Sequence, residues 1–571
     1  MRLILGMCLL LISWGAHAAC SGSGLTWTCT ASGFTNADLQ GDINSASDGA
    51  TFTFSAGTYT NLTSISLNNI DGITLICETP GACIIPAAGD LITNDTCTAD
   101  KVNLIRISGF DFTSTSATGT AKIWLYCYET GWDILQLRID HNTISHAGTY
   151  IGIITGESSS LSTGKVYGVI DNNTFTAADN FMAWKNLSGG NVWVDDQQGT
   201  GNGMFFEDNV CDFTNVVDLG TGCVDIWRAN SSVIRFNTMT NGRIVNHSYC
   251  HEGPYNSEVY YNVIDQPDAS PANYRNIHLQ GPGEAMVFGN VLGDSAGGDE
   301  LVAQSFRSQT PESTSEGNCN STCNGTVTGS GANAANADDG NRGGGVGYPC
   351  WHQFGRNSSA DLRPVFLWEN QLSGGTLLAL DIQSGAWTSG GACADTTNSR
   401  VMCHVRKNRD YYEAVSASIQ SSASSPFDGT TGMGFGTLAN RPTTCTTGAA
   451  ADSGNGGVGY WCTDCGNWNK SSSNNEGVQK NGEDGVLYMC SATNTWTEQY
   501  TPYEYPHPLR GESPDEGPTN NLVIILGSFV LVVITALLGG LYGKGIARIV
   551  WNRAFIRAAY QRRGFRPDRT L

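Results

Sequence analysis

Charged side chains are scarce in this chain. Asp, Glu, Lys and Arg make up 15% of its 571 residues. No stretch before residue 500 carries clear helical periodicity, which excludes an architecture built on long helices. Basic residues are the scarcer sign, with 31 Lys and Arg against 52 Asp and Glu, a formal net charge of −21. An acidic exterior argues against nucleic acid, or any anionic polymer, as a partner over the whole surface. Sequence signatures of several chemistries are absent too. There is no P-loop, dinucleotide fingerprint, H-E-x-x-H or G-x-S-x-G. Nucleotide, zinc-protease and serine-hydrolase chemistries lose their usual markers with them.

What the chain has instead is glycine, 70 residues of it, with Asn, Ser and Thr throughout. That profile suits many short strands joined by turns. The two ends differ from the body. Residues 1–18, MRLILGMCLLLISWGAHA, read as a secretory signal: Arg2, an apolar run, then Ala16-His17-Ala18 for cleavage. Residues 509–520 read as a stalk, and residues 521–543 form an uncharged run long enough to span a bilayer. The last segment, 544–571, has a net charge of +7, leaving −28 on the rest. Positive charge stays on the cytoplasmic side, so the expected topology puts the acidic body outside and the basic tail inside. That tail has the make-up of an amphipathic helix for the anionic inner leaflet.

The chain has 19 cysteines, and loss of Cys8 with the signal leaves an even number. An oxidising destination favours disulfides. Cys462-Thr-Asp-Cys465 and Cys319-Asn-Ser-Thr-Cys323 are also zinc half-site patterns, but no histidine pair at metal spacing follows either.

A short motif recurs along the body. IRFNTM (234–239) has counterparts in RIDHNTI (138–144), VIDNNTF (169–175), MFFEDNV (204–210), VYYNVI (259–264) and VFGNVL (287–292), with a weaker echo in VFLWENQL (365–372). The asparagines Asn142, Asn173, Asn209, Asn237, Asn262 and Asn290 are spaced by 31, 36, 28, 25 and 28 residues. Such a period marks one supersecondary unit per repeat. Leucine-rich repeats have a similar period but need dense leucine, which is missing here, and propeller blades run longer. An Asn side chain carries both a donor and an acceptor and tolerates a left-handed backbone. It suits a turn whose backbone groups the sheet cannot pair. These asparagines are therefore expected to form a structural ladder, since Asn142 and Asn237 lack the glycosylation triplet.

Near the N-terminus, a short polar helix candidate from residue 37 precedes GATFTFSAGTYT and ISLNNIDGITLICE, whose apolar residues alternate at period two. This stretch resembles the first coil of right-handed parallel β-helix proteins of the pectate-lyase-like superfamily. The resemblance implies an all-β ectodomain, a right-handed parallel β-helix solenoid, to which the run at 521–543 adds one expected C-terminal transmembrane helix. Coils are expected over 19–301 and a Gly/Ser/Asn-rich loop over 302–345. Further β-rich coils and a Cys-containing module are expected over 346–508. That last region resembles a module often attached to bacterial and phage β-helix proteins.

Aligning the polar segments before each Asn strand brings Asp195, Asp196, Asp225, Arg228, His247, His251, Glu252, Arg275 and His278 toward one face. Carboxylates with Arg on adjacent strands resemble the layout of polysaccharide lyases and hydrolases of this fold. A lyase needs a cation, for which Asp195 and Asp196 are candidate Ca²⁺ ligands, and a base such as Arg228, His251 or His278. A hydrolase needs two carboxylates, for which Asp195 and Asp225 are candidates, with Glu252 in reserve. Trp193, Trp227 and Arg275 are candidates for carbohydrate contact; Trp124, Trp184, Trp351 and Trp368 could stack on sugar rings as well, but most aromatics in a solenoid are expected in the core or at its edges. Three readings follow: a membrane-anchored protein that binds surface carbohydrate, a polysaccharide lyase or glycoside hydrolase, and a phage receptor-binding protein, the last by layout alone.

Overall fold

The computed structural model describes residues 20–303, 354–355, 362–382, 407–414, 427–448, 457–470 and 484–511. Within the first span, 63, 87–91, 95–96, 98, 115–120, 128–131, 147–149, 157–163, 178–180, 188–196, 214–221, 228–230, 248–255, 267–274, 281–282 and 294–299 are not described. The candidate signal, linker, stalk, membrane run and basic tail lie outside the described residues, apart from residues 509–511 of the stalk and Val302 and Ala303, which open the expected linker range but belong to a strand, Leu301–Ala303. Among the described residues, no helix is long and apolar enough to cross a membrane.

The fold begins with a hairpin, Cys20–Ser23 against Thr26–Cys29, closed by a Cys20–Cys29 disulfide. A helix follows at Asn36–Ser45. Thr35 caps it by accepting from the Asp38 N–H, and Leu39 and Ile43 are its buried face. From there the chain winds as a parallel β-helix. Each coil contributes one strand to each of three long sheets, called A, B and C here. Ile134–Asp140 lies in A, Thr143–His146 in B and Tyr150–Thr155 in C, and then Val166–Asp171 returns to A beside the first. Successive A strands pair in parallel from Thr26–Cys29 to Tyr411–Ala414. The core is the inward row of each sheet: Ile107, Ile139, Ile170, Phe206, Ile234, Val259 and Val287 on A, all fully buried.

The A-to-B corner is only two residues long. Its first residue is left-handed: φ is 55° at His141, 54° at Asn172, 58° at Asp208 and Phe236, and 54° at Tyr261. The second is the recurrent asparagine. Asn237 Oδ1 accepts from Asn209 N and Nδ2, at 2.9 and 3.2 Å. Its Nδ2 donates to Phe206 O, Arg235 O and Asn262 Oδ1. The same exchange links Asn142, Asn173, Asn209, Asn237, Asn262, Asn290 and Asn370 in one continuous chain of amides. All seven are buried, so every rung satisfies backbone groups that water cannot reach. Bulky Phe236 and Tyr261 are costly in a left-handed turn. The ladder bonds and aromatic neighbours hold them there: Phe236 lies 4.1 Å from Tyr505 and Tyr261 stacks on Trp468 at 6.3 Å.

A fourth, four-stranded sheet belongs to the C-terminal module. Met433–Gly436, Gly459–Cys462, Val486–Ala492 and Thr495–Tyr500 form it, the first pair parallel and the rest antiparallel. Its Trp461, Trp468, Tyr500 and Tyr505 belong to the same buried cluster as Tyr260, Phe288 and Trp368 on the outer face of sheet A. The module therefore lies on sheet A. Cys77–Cys83, Cys97–Cys127, Cys211–Cys223, Cys445–Cys490 and Cys462–Cys465 are the other disulfides among the described residues. Cys462, Asp464 and Cys465 cluster closely enough for a metal, but both sulfurs are committed to their disulfide. Cys319 and Cys323 lie outside the described residues.

Candidate functional site

Two outer faces carry polar and aromatic rows. Counting back from each asparagine locates both rows of sheet A. Four residues before it stand Arg138, Val169, Phe205, Val233, Glu258, Met286 and Phe366, paired in register from strand to strand. Two before it stand Asp140, Asp171, Glu207, Arg235, Tyr260, Phe288 and Trp368. All of these are buried.

The early part of this face is ionic. Arg106 grips Asp140 with two bonds of 2.9 and 2.8 Å, and Arg138 grips Asp171 with two of 3.1 and 3.0 Å. Burial pushes the Asp140 carboxyl up, but hydrogen bonds from Arg106 and His141 and the charge of Arg138 outweigh it and hold it well below the usual range. Arg235 pairs with Glu207 at 2.6 Å, with both side chains fully buried. The C-terminal segment binds the same groups. Arg235 donates to Tyr503 O and Glu504 O, Glu207 accepts from His507 N, and Arg138 donates to Leu509 O. The later part is aromatic, with Tyr260 stacked on Phe288 at 4.6 Å and Phe288 on Trp368 at 4.2 Å. Between the two parts, Glu258 accepts from Tyr500 Oη and from Gly199 N. Burial lifts its carboxyl to about 7. From Arg138 to Trp368 the outer face of sheet A is therefore largely an interface within the chain.

Sheet C is arranged differently. Val224 and Ile226 point into the core, so Asp225 between them faces out, and His278 faces out between Ile277 and Leu279 for the same reason. In register, Trp124, Ile154, Lys185, Asp225, Val245, His278, Val302 and Asp381 form one lateral row. Lys185 Nζ lies 3.6 Å from Asp225 Oδ2 and 3.9 Å from the centre of the Trp227 ring. Trp227 Nε1 donates to that same carboxylate oxygen at 2.6 Å. His278 Nδ1 is 3.3 Å from Gln280 Nε2. Asp225 and His278 are buried; Lys185, Trp227, Trp124 and Tyr126 are half-buried, and the last two rings lie 5.3 Å apart. Asp225 and His278 are two strands apart, about 10 Å at sheet spacing. The corners flanking sheet C are the long and variable ones. They include 187–203 and 248–256 before sheet A and 266–276 and 293–300 after sheet B. Binding residues concentrate on such loops.

Of the residues predicted from sequence, Asp225, Trp227 and His278 thus come together on sheet C. Arg275 stands two residues before the strand Ile277–Leu279. His247 pairs with Trp227 in register. Trp193, Asp195, Asp196, Arg228, His251 and Glu252 lie outside the described residues, so neither the candidate Ca²⁺ ligands nor a second carboxylate can be placed. Along the row itself, the described carboxylate after Asp225 is Asp381, four strands away. That is about 19 Å, far beyond glycosidase separation. Trp184 and Trp368 are fully buried.

Lys185 was missed. It stands directly opposite Asp225, and sliding WKN (184–186) over VDI (224–226) would have shown it. Glu258 was missed as well, though it takes the same place before its asparagine as Arg138 does.

No family profile and no curated protein sequence matches the chain. A solved crystal structure of alginate lyase from Paenibacillus sp. str. FPU-7 is similar at 15% identity and a TM-score of 0.25, covering 46% of this chain and 94% of that one.

Proposed function

We propose that the protein is an exported, membrane-anchored β-helix that binds a polysaccharide along the outer face of sheet C. The observation that carries this reading is the cluster of Lys185, Asp225 and Trp227, with Trp124 and Tyr126 on the same face. Aromatic rings supply faces for sugar rings to stack on, and a charged pair supplies donors and acceptors for hydroxyls. Sheet A offers no such surface, because the C-terminal module covers it. The test is a glycan panel scored for binding and for new unsaturated ends, with and without chelator. Binding that falls tenfold or more in Trp227→Ala and Trp124→Ala supports the reading, and unchanged binding in both sinks it.

A second reading is cleavage of the bound chain, favoured by Asp225 and His278 sharing one outward row. In a lyase, His278 would take the proton beside a uronate carboxylate as the glycosidic C–O bond at the next carbon breaks and the leaving oxygen takes a proton from water; Asp195 and Asp196 would be the ligands of a Ca²⁺ that neutralises the carboxylate. New unsaturated ends that vanish in Asp225→Ala or His278→Ala, with binding retained, would establish it. Binding with no new ends from any bound glycan would remove it.

A further inference from the structure

A cavity of about 90 Å³ opens where sheet A meets the C-terminal module. Its walls come from three parts of the chain. Glu284, Met286, Arg363, Pro364 and Phe366 belong to consecutive sheet A strands and their lead-ins, Gln198 to the connection before Met204, and Gln499 and Tyr500 to the module. Tyr500 ties the wall to the interface by donating to Glu258. Gly199, beside Gln198, has a left-handed φ of 72°, and its N–H is bound by the same Glu258, which fixes the position of the connection.

Gln198 Nε2 is buried and has no hydrogen-bond partner among the described residues. A buried amide left unmatched is costly, and a ligand hydroxyl would satisfy it. Glu284 Oε1 and Arg363 Nε lie 3.5 Å apart, so their charges offset one another and leave no net charge to select a small ion. Two amides, a carboxylate and a guanidinium offer donors and acceptors in mixture, as a polyol requires. Met286, Pro364 and Phe366 supply an apolar wall for the carbon face of a ring. At about 30 Å³ each, some three ordered waters fill this volume, room for one edge of a sugar ring entering from the open side and too small for a chain.

We propose that this seam cavity binds a single neutral sugar unit, separately from the face on sheet C. The test uses the full chain and a set of neutral monosaccharides, with a uronic acid and inorganic phosphate as charged controls. Binding is read by saturation-transfer NMR and titration calorimetry. The expected result is binding of at least one neutral monosaccharide, weakened tenfold or more by Gln198→Leu and by Gln499→Leu and unaffected by Trp227→Ala. Near-ultraviolet circular dichroism confirms that each variant keeps its tertiary packing. Absence of binding by any neutral monosaccharide overturns the proposal. So does binding that both Gln variants retain, or preference for phosphate. A polysaccharide that binds normally to Gln198→Leu while the monosaccharide does not would separate this site from the sheet C reading.

Discussion

The outer faces of sheets A and C start from the same rule and end in opposite states. On both, every second residue leaves the core. On sheet C the outward Trp124, Lys185 and Trp227 are half-buried, while Ile154, Asp225, Val245, His278 and Val302 are buried. On sheet A the outward rows are half-buried at Thr51, Thr53, Thr74 and Ile76 and buried from Arg106 and Ser108 to Phe366 and Trp368, and each charge among them that has been described is answered by another charge or by the C-terminal segment. Alternation thus defines which side chains leave the core, and whatever lies over the sheet decides what they do. A charged row under a cover is an interface, where each group must be matched. A charged pair that stays half-open is a place where a ligand can add contacts. The comparison makes stability the sensitive readout on sheet A and ligand binding the sensitive readout on sheet C.

Arg235→Leu is expected to break sheet A hardest. It leaves Glu207 buried without its cation and removes the donors to Tyr503 O and Glu504 O. Losing one partner of a buried pair costs about 3–5 kcal/mol, measurable as a fall in urea-unfolding stability. The double variant Glu207→Leu, Arg235→Leu should recover much of that loss. A single variant within 1 kcal/mol of the parent (roughly the value of an exposed pair) would mean that this face is not sealed.

Asn237→Ala comes next. It strips acceptors from Asn209 and donors from Phe206 O, Arg235 O and Asn262 in the middle of the amide chain. At about 1–3 kcal/mol for each buried group left unmatched, partly relieved by relaxation, a loss of about 2–4 kcal/mol follows. Asn237→Asp should not rescue it, because the carboxylate cannot donate. Rescue by Asp would show that only the acceptor side matters.

Much of this architecture was legible from the asparagines. Their spacing gave the coil period, and their side chains now appear as the rungs of the corner between sheets A and B. Counting back from them even locates both outward rows of sheet A. What could not be read was the cover. Arg235 and Tyr503 are 268 residues apart, and no local pattern announces that contact. Tyr260, Phe288 and Trp368 hinted at it, since three aromatics on an outward row are unusual company for water. The candidate site was harder to read for a related reason. Asp225 and His278 lie on sheet C, not on the strand just before each asparagine, and the corners between C and A vary in length. Alignment through those corners loses register, and one residue of slip turns every side chain over.

Glu258 sharpens the comparison through pH. Burial raises its folded pKa to about 7 from an ordinary value of 4.5. Between those values the folded state keeps a proton that the unfolded chain has released. Stability from this group is therefore fully present below pH 4.5 and falls as pH rises toward 7, by up to about 1.4 kcal/mol per unit. Glu258→Gln should flatten that part of the profile in thermal unfolding at fixed ionic strength. A variant with the parent's slope would move the pH dependence to other groups.

The smallest change in stability is expected on sheet C, from Trp227→Ala. The ring is half-buried, and its losses include one hydrogen bond to Asp225 and the contact with Lys185. About 1–2 kcal/mol covers both, and Lys185 still faces the Asp225 carboxylate. The same variant should lose at least tenfold in polysaccharide affinity. The two readouts must separate for sheet C to be a binding face: a large binding defect beside a small stability defect. If Trp227→Ala instead destabilises the fold as much as Arg235→Leu, then sheet C is a covered face like sheet A. The ligand surface would then have to be sought away from this row.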